Sequence, residues 1–497
     1  MKKIALIFVL AALLASCKKD ITGLNVDPKN PVNVPSYSLF TNSERLLTNT
    51  VTSSSVNLNI FRLIEQQWTE TTYLNETNYQ LNYRRQPDAI WSAMYTGVLG
   101  NLQRAKNLIP TDVKNAGQQK NEIAITDILQ VYAYYYLVTT YGNVPYTEAL
   151  DINKPFPKYD DAKTIYYDLL TRLDADIAAL DPNSESYGDA DQVYGGDPAA
   201  WKKFANTLKL KMGIVIADFD NAKAKTTVEA AVTGGVFTSN ADNALFKYQT
   251  TPPNTNPIWV DLVQSQRHDF VGTSQFINLL APNLPTQDPR MPYFFSVNNA
   301  GQYVGADNGS GDGGLVYSQY SLPSGPLLVK GSLGSLTNPD FPGVLLDYSE
   351  TEFNLAEALA RNYVVGGTLI GHYNSAITAS IEAWGGSAAD AATYLALPNV
   401  AFATASNLET PGTVLSTYQK IALQEYIALY NRGWDSWTMT RRLDYPVLTP
   451  PDGAYSAFPI RFTYPISEQN VNVVNYNAAS SAIGGDLVTT KLFFDKN

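Results

Sequence analysis

The sequence predicts a mainly α-helical fold whose helix pairs resemble tetratricopeptide stacking, with a loop-rich region set among the helical blocks. Three observations carry this expectation. Apolar residues recur at three- and four-residue steps over several long stretches spaced about forty residues apart. The chain has 497 residues, 45% hydrophobic and 12% aromatic, enough for a sizeable core. From about 236 to 344 the periodicity fails, and Gly, Pro, Asn, Ser and Thr dominate around Asn308-Gly-Ser-Gly-Asp-Gly-Gly314. That stretch is too long and too aromatic for a linker, with Trp259, Phe270, Phe276, Tyr293, Tyr303, Tyr317 and Tyr320 inside it.

The elements follow in order. Lys2 and Lys3 precede the apolar run Ile4 to Ala15 and the lipobox-like Leu14-Ala-Ser-Cys17. A run this short covers about 18 Å as a helix, too little to span a bilayer, so residues 1–16 read as a signal peptide cleaved before Cys17. Cys17, the only cysteine, is then the lipidation site, and several acyl chains hold a protein on a membrane firmly. Lys18-Lys19-Asp20 resembles a surface-export signal of Gram-negative lipoproteins. Residues 17–36, with Pro28, Pro31 and Pro35, form a non-helical leader, and residues 37–497 form one composite domain.

Two or three helices are expected between Ser38 and Asn107. Ile123 to Tyr141 is apolar nearly all round and belongs in the interior, the Tyr132–Tyr136 cluster included; Gly142 ends it. Ala162 to Leu180 is amphipathic, with Asp160 as its cap, and Ala199 to Asp218 repeats the pattern. Ser349 and Glu352 have capping-box spacing before Phe353, and a helix runs from Gly371 to Trp384. The last long helix starts at Thr410-Pro411 and turns Leu415, Tyr418, Ile421, Ala422 and Leu429 inward. Glu425 falls on its apolar stripe and needs Arg432, Arg441 or Arg442 as partner. Arg461 and Glu468 are expected to pair.

The chemistry points away from catalysis. A net charge of −11 repels phosphate backbones, so no nucleic acid is expected as a partner. Two histidines and one cysteine leave little for a metal centre, and neither a metal nor a cofactor is expected. There is no Gly-x-Ser-x-Gly elbow and no His-Glu-x-x-His. The clustered acids Asp347, Glu350, Glu352 and Glu357 fit capping and helix-dipole roles. Asp307 to Asp312 lacks EF-hand spacing and reads as a flexible loop. The chain is instead rich in tyrosine, with 32, and it has 7 tryptophans. Pyranose rings stack their CH faces on flat aromatic rings while amides and hydroxyls satisfy the rim; peptides use the same rings plus backbone bonds. Trp68, Tyr73, Tyr79 and Tyr83 lie among Thr, Asn and Gln in a segment without a helical stripe, and are the first candidates for a ligand platform. Trp259, Tyr317 and Tyr320 in the loop-rich region are the second.

Several strings, in order along the mature chain, resemble the SusD/RagB-like family of outer-membrane nutrient-binding lipoproteins. They are Tyr141-Gly-Asn-Val-Pro-Tyr-Thr-Glu-Ala-Leu150, Asp288-Pro-Arg-Met-Pro-Tyr293, Leu346 to Ala358, and Arg432-Gly-Trp-Asp-Ser-Trp437 with Arg441-Arg442. Arg461 to Asn470 and the closing Gly484-Gly-Asp with Thr490 to Asp495 complete the set. The resemblance implies a mainly α-helical domain of four tetratricopeptide-like helix pairs with an irregular, loop-rich half packed on it, and a non-catalytic protein. It also implies capture of an oligosaccharide or oligopeptide for a TonB-dependent outer-membrane transporter. A surface glycosidase or peptidase, and an adhesion lipoprotein, are the alternatives.

Overall fold

The computed structural model describes residues 34–281, 283–310, 316–324, 334–406 and 413–496. The signal peptide, Cys17, most of the leader, Asp312 and Thr410-Pro411 lie outside these residues. The longer helices are α1 Ser36–Thr52, α2 Gly100–Asp112, α3 Ala116–Tyr141, α4 Ala162–Ala179, α5 Pro198–Val215 and α6 Asn221–Gly234. They continue as α7 Tyr348–Ala360, α8 Leu369–Trp384, α9 Ala388–Leu395, α10 Thr417–Ala428, α11 Gly433–Leu443, α12 Ile466–Val471 and α13 Val473–Ala482. Four pairs stand out by their packing: α1 with α2, α3 with α4, α5 with α6, and α7 with α8. The mainly α-helical, paired architecture is the one expected.

Local chemistry sets the helix ends. Asn115 caps α3, and Asp161, one residue after the expected Asp160, accepts from Thr164 N to cap α4. Asp197 caps α5, followed by Pro198 at the first turn. Gly142, with φ +86°, stops α3, and a Cβ there would meet Leu492 at 2.9 Å. Before α7 the cap is Asp347, whose Oδ1 accepts from Glu350 N at 2.8 Å; the expected Ser349–Glu352 box does not form. Ser349 donates instead to the Ala376 carbonyl, and Glu352 pairs with His372 Nδ1 at 2.7 Å.

From Asn121 onward nearly every residue of α3 is buried, because neighbouring helices surround it on all sides. Two of its buried hydroxyls are satisfied internally: Tyr132 donates to the Leu345 carbonyl, and Tyr136 to Asp435 at 2.7 Å. The loop-rich region forms no layer of its own. It contributes β4 (Ala244–Phe246), antiparallel to β6 (Gly343–Leu346), and β5 (Phe270–Gly272), antiparallel to β1 (Trp68–Glu70). A third ribbon joins β2 (Val144–Pro145) to β3 (Tyr159–Asp160).

The buried charges differ in part from those expected. Arg432 pairs with Asp347 (3.0 Å), Glu350 (2.7 Å) and Asp435 (2.7 Å), not with Glu425. Arg441 lies over the Trp437 ring at 3.5 Å and donates to the carbonyls of Thr139 and Ile460. Arg442 binds Glu357 and is the one of the three whose charge acts on Glu425. Burial, helped by the Glu350 charge, nevertheless holds Glu425 well above the usual carboxyl range. Arg461 pairs with Asp486 at 2.6 Å, while Glu468 accepts from Tyr159 Oη. Tyr418, expected inward, is exposed near the start of α10.

Glu65 is fully buried, and Ser436 and Thr440 donate to its Oε2. Burial pushes its carboxyl up to about 7, against lowering by those two hydroxyls. The native state therefore holds this proton more tightly than the unfolded chain, and that contribution is lost as pH rises from the ordinary glutamate range to about 7. Glu65→Gln, which cannot ionise, is expected to gain stability over the parent across that window. The gain should level off at about 3 kcal/mol above pH 7, as read by urea denaturation at pH 5 and pH 8.

Candidate ligand-binding surface

The β1–β5 ribbon delivers two loops side by side. Register pairs Trp68 with Gly272 and Glu70 with Phe270, and beyond the strands Thr71 N donates to the Asp269 carbonyl and Thr71 Oγ1 to that of His268. Residues 71–85 and 265–269 thus leave from one end of the ribbon. Gln66, Tyr73, Tyr79, Arg85 and Gln266 all have φ between +52° and +63°, a region that non-glycine residues occupy only where surrounding contacts enforce it.

Between these loops lies a cavity of about 460 Å³ lined by Ser54, Asn57, Glu70, Tyr73, Tyr83, Arg84, Asp261, Arg267, Asp269 and others. Tyr73 is 66% exposed and Tyr83 60%, so both rings have a free face. Arg84 lies over the Tyr83 ring at 5.6 Å and binds Glu76 at 3.0 Å, which fixes that ring's neighbour. Arg267 grips Asp269 through two bonds of 2.5 and 2.9 Å. Ser54 donates to Asp261 at 2.9 Å, yet burial holds the Asp261 carboxyl above its usual range. Next to Arg267, His268 stacks on Tyr317, with centroids 4.1 Å apart. The result is a row of flat groups beside hydroxyls and amides.

The predicted site residues divide sharply. Tyr73, Tyr83 and Tyr317 are exposed and lie on the two loops or against them. Trp68 and Tyr79 are buried, which corrects their reading as platform rings. Trp68 donates to Tyr430 Oη at 3.0 Å and packs on Phe270, while Tyr79 accepts from Gln66 and meets Phe458 edge-on. Their covers come from residues distant in sequence, invisible to a local reading. Trp259 and Tyr320 are half-buried and lie outside the cavity lining. Arg84, Arg267, His268, Glu70 and Asp261 were not anticipated; only the contact between the loops reveals them. The described part of the Asp307 loop is docked, with Gly309 N donating to Thr69 Oγ1 and Ser274 Oγ to Asp307. Among the described residues no group of three or more His, Cys, Asp or Glu could hold a metal ion.

Volume alone does not choose the site. A groove of about 1110 Å³ opens beside the start of α1, lined by Tyr37, Arg45, Glu122, Gln192 and Lys247 among others. Tyr37 is its one exposed ring, whereas the smaller cavity brings two together.

Residues 28–465 match the SusD-like_2 family model, described as "Starch-binding associating with outer membrane". The chain belongs to the SusD-like family. Solved structures agree in fold. A chitin-binding SusD homolog from Flavobacterium johnsoniae is 23% identical with a TM-score of 0.75, over 93% of this chain and 99% of that one. A SusD homolog from Bacteroides fragilis is 21% identical with a TM-score of 0.75, over 94% and 100%. One from Bacteroides thetaiotaomicron is 23% identical with a TM-score of 0.74, over 93% and 99%. No curated protein matches the chain. The family strings fall on structural positions: Gly142 ends α3, Asp288 and Arg290 form a buried pair at 2.7 Å, and Arg461 holds the tail.

If Trp68 is a core residue and the exposed tyrosines are not, truncation must separate them. Trp68→Ala is expected to cost about 3–5 kcal/mol in urea denaturation. Tyr73→Ala and Tyr83→Ala should each stay within about 0.5 kcal/mol of the parent.

Proposed function

We propose that this SusD-like protein is a non-catalytic, lipid-anchored glycan-capture protein that presents its cargo to a TonB-dependent outer-membrane transporter. The observation that carries the glycan half is the convergence of the Tyr73 and Tyr83 rings on one cavity edged by Ser54, Asn57 and Thr72. Free ring faces take pyranose CH faces, and the hydroxyls and amides take the hydroxyl rim. The starch-binding description of the family and the chitin-binding homolog from Flavobacterium johnsoniae favour a glycan over a peptide. Tyr317 on His268 would extend the platform. Anchoring at Cys17 facing the cell exterior fits the sequence, and a tether makes modest affinity sufficient by raising the effective concentration.

Hydrolysis has one observation in its favour: two lining carboxyls, Glu70 and Asp261, are shifted. A glycosidase needs one raised and one ionised acid facing the sugar. Here burial raises both, and each is bonded to a neighbouring hydroxyl, which favours structural roles.

The partner half is supported by an apolar surface elsewhere. Ile152 is 94% exposed and Val474 77%, with Phe156 and Val471 also exposed. Asn472 and Asn475 donate to the carbonyls of Pro157 and Phe156, fastening the loop to α13. From Gln469 to Gly485 the chain carries no charge, while Lys154–Glu148 and Lys158–Asp160 pairs form a polar edge. An apolar centre with a charged rim is what a protein partner covers.

Two measurements test the halves separately. Calorimetry with chitooligosaccharides and soluble starch should show binding that Tyr73→Ala and Tyr83→Ala each weaken about tenfold, with the cargo recovered at its original length. New reducing ends would overturn the non-catalytic reading. The double variant Ile152→Glu, Val474→Glu should keep glycan binding and lose co-purification with the transporter.

A further inference from the structure

Glycan binding leaves two carboxyls at this surface unexplained. Glu70 closes β1 and lines the cavity; Glu76 lies inside the loop that carries Tyr73 and Tyr83, and both are buried. Thr77 locks onto Glu70 by three bonds: its N and Oγ1 donate to Oε2 at 2.9 and 3.0 Å, and its Oγ1 accepts from Glu70 N at 3.1 Å. Glu76 Oε1 accepts from Arg84 Nε and Gln86 Nε2, each at 3.0 Å. Its Oε2 is buried and, among the described residues, receives no donor, while the Glu70 carboxyl is a neighbour that acts with it.

We propose that one proton shared between Glu70 and Glu76 fastens residues 71–84 to β1, making the two carboxyls positioning residues for the Tyr73–Tyr83 platform. The inference rests on reading that platform as the glycan surface. The chain of contacts is continuous: β1 to Glu70, Glu70 to Glu76, Glu76 to Arg84, and Arg84 over the Tyr83 ring. Without the proton, two buried negative charges would face each other, and the loop would be the movable member because strand pairing holds β1. Burial first, then the neighbouring Glu76 charge, push Glu70 up to about 8 against the lowering by Thr77.

Other charged groups reach the cavity from every side. Arg84 lies on the same loop, and Arg267 and Asp269, paired with each other, lie on the turn before β5. Asp261, on the segment Val260–Gln264 and also shifted up by burial, takes the Ser54 hydroxyl, with the Arg62 charge acting on it. His268, also on the turn before β5, accepts from Thr71 Oγ1 at its carbonyl and stacks on Tyr317, so Asp261 and His268 are the titratable side chains that must be separated from Glu70.

The fastened loop holds the proton more tightly than the released loop, so release is suppressed at low pH. It should rise about tenfold per pH unit from the ordinary glutamate range up to about pH 8, and level off above. Hydrogen–deuterium exchange of peptides covering 71–84 in the intact mature protein, corrected for intrinsic rates from pH 5 to pH 9, reads this directly. The parent should show that slope and plateau. Glu70→Gln, whose amide both accepts from Thr77 and donates to Glu76 without titrating, should be flat and protected throughout. Glu70→Ala should be unprotected at every pH, and Asp261→Asn and His268→Gln should each keep the parental slope. A flat parental profile, a parental slope in Glu70→Gln, or loss of the slope in Asp261→Asn or His268→Gln would overturn the proposal. A second arm measures binding of chitooligosaccharides and soluble starch at pH 6, where Glu70→Ala should bind at least tenfold more weakly than the parent and Glu70→Gln should bind more tightly than Glu70→Ala. Equal binding by Glu70→Ala would remove the positioning role. If no form binds either glycan while exchange behaves as stated, the glycan reading fails and the proton-held loop stands.

Discussion

The fold depends on a buried charge network where three parts of the chain meet. Lys211 on α5 binds Glu350 on α7 at 2.7 Å and Asp435 on α11; Arg432 binds both acids and Asp347; Tyr136 on α3 donates to Asp435. Taking such groups out of water costs several kcal/mol per ion, and only mutual pairing with full hydrogen bonding offsets it. Each helix of this junction therefore needs the others in place before its own charge is tolerable. That condition links the helix stack to the C-terminal helices more specifically than apolar contact does, since hydrophobic packing is largely non-directional.

The junction also reaches the proposed ligand surface. Arg432 follows Asn431, which has φ +68° and sits between α10 and α11. Asn431 Oδ1 accepts from Arg62 Nε at 2.7 Å, and Asn431 N donates to Gln67 Oε1 at 3.1 Å. Arg62 further binds the carbonyls of Thr52 and Ser53 at the end of α1. The residues just before β1 are thus clamped by the scaffold, and β1 carries the loop with Tyr73 and Tyr83. A stacking platform gains affinity when its rings need little ordering on binding, and a clamped strand supplies that economy. Loops set on a rigid scaffold are where binding residues concentrate.

Trp68 and Tyr73 show where local reading stops. Both lie in one polar segment without a helical stripe, and nothing in their immediate neighbours distinguishes them. Trp68 is buried because Phe270 and Tyr430, some 200 and 360 residues away, cover it. Tyr73 stays exposed because its left-handed backbone turns the chain out beyond the end of the ribbon. Likewise Arg461 and Glu468 are close enough in sequence to pair, yet the Gly485-Asp486 turn brings a nearer acid to Arg461. His268 had no local motif, and it gains a role only by lying under Tyr317.

By itself the sequence determined the helical scaffold, the buried α3 with its stop at Gly142, and the family. These rest on periodicity, capping and short motifs, whose physics acts within one or two turns of chain. Tertiary structure alone decided which aromatic rings face outward, which arginine meets which acid, and that Glu70 and Glu76 adjoin. Those outcomes depend on burial and charge proximity, and both are set by residues that meet only after the chain has folded.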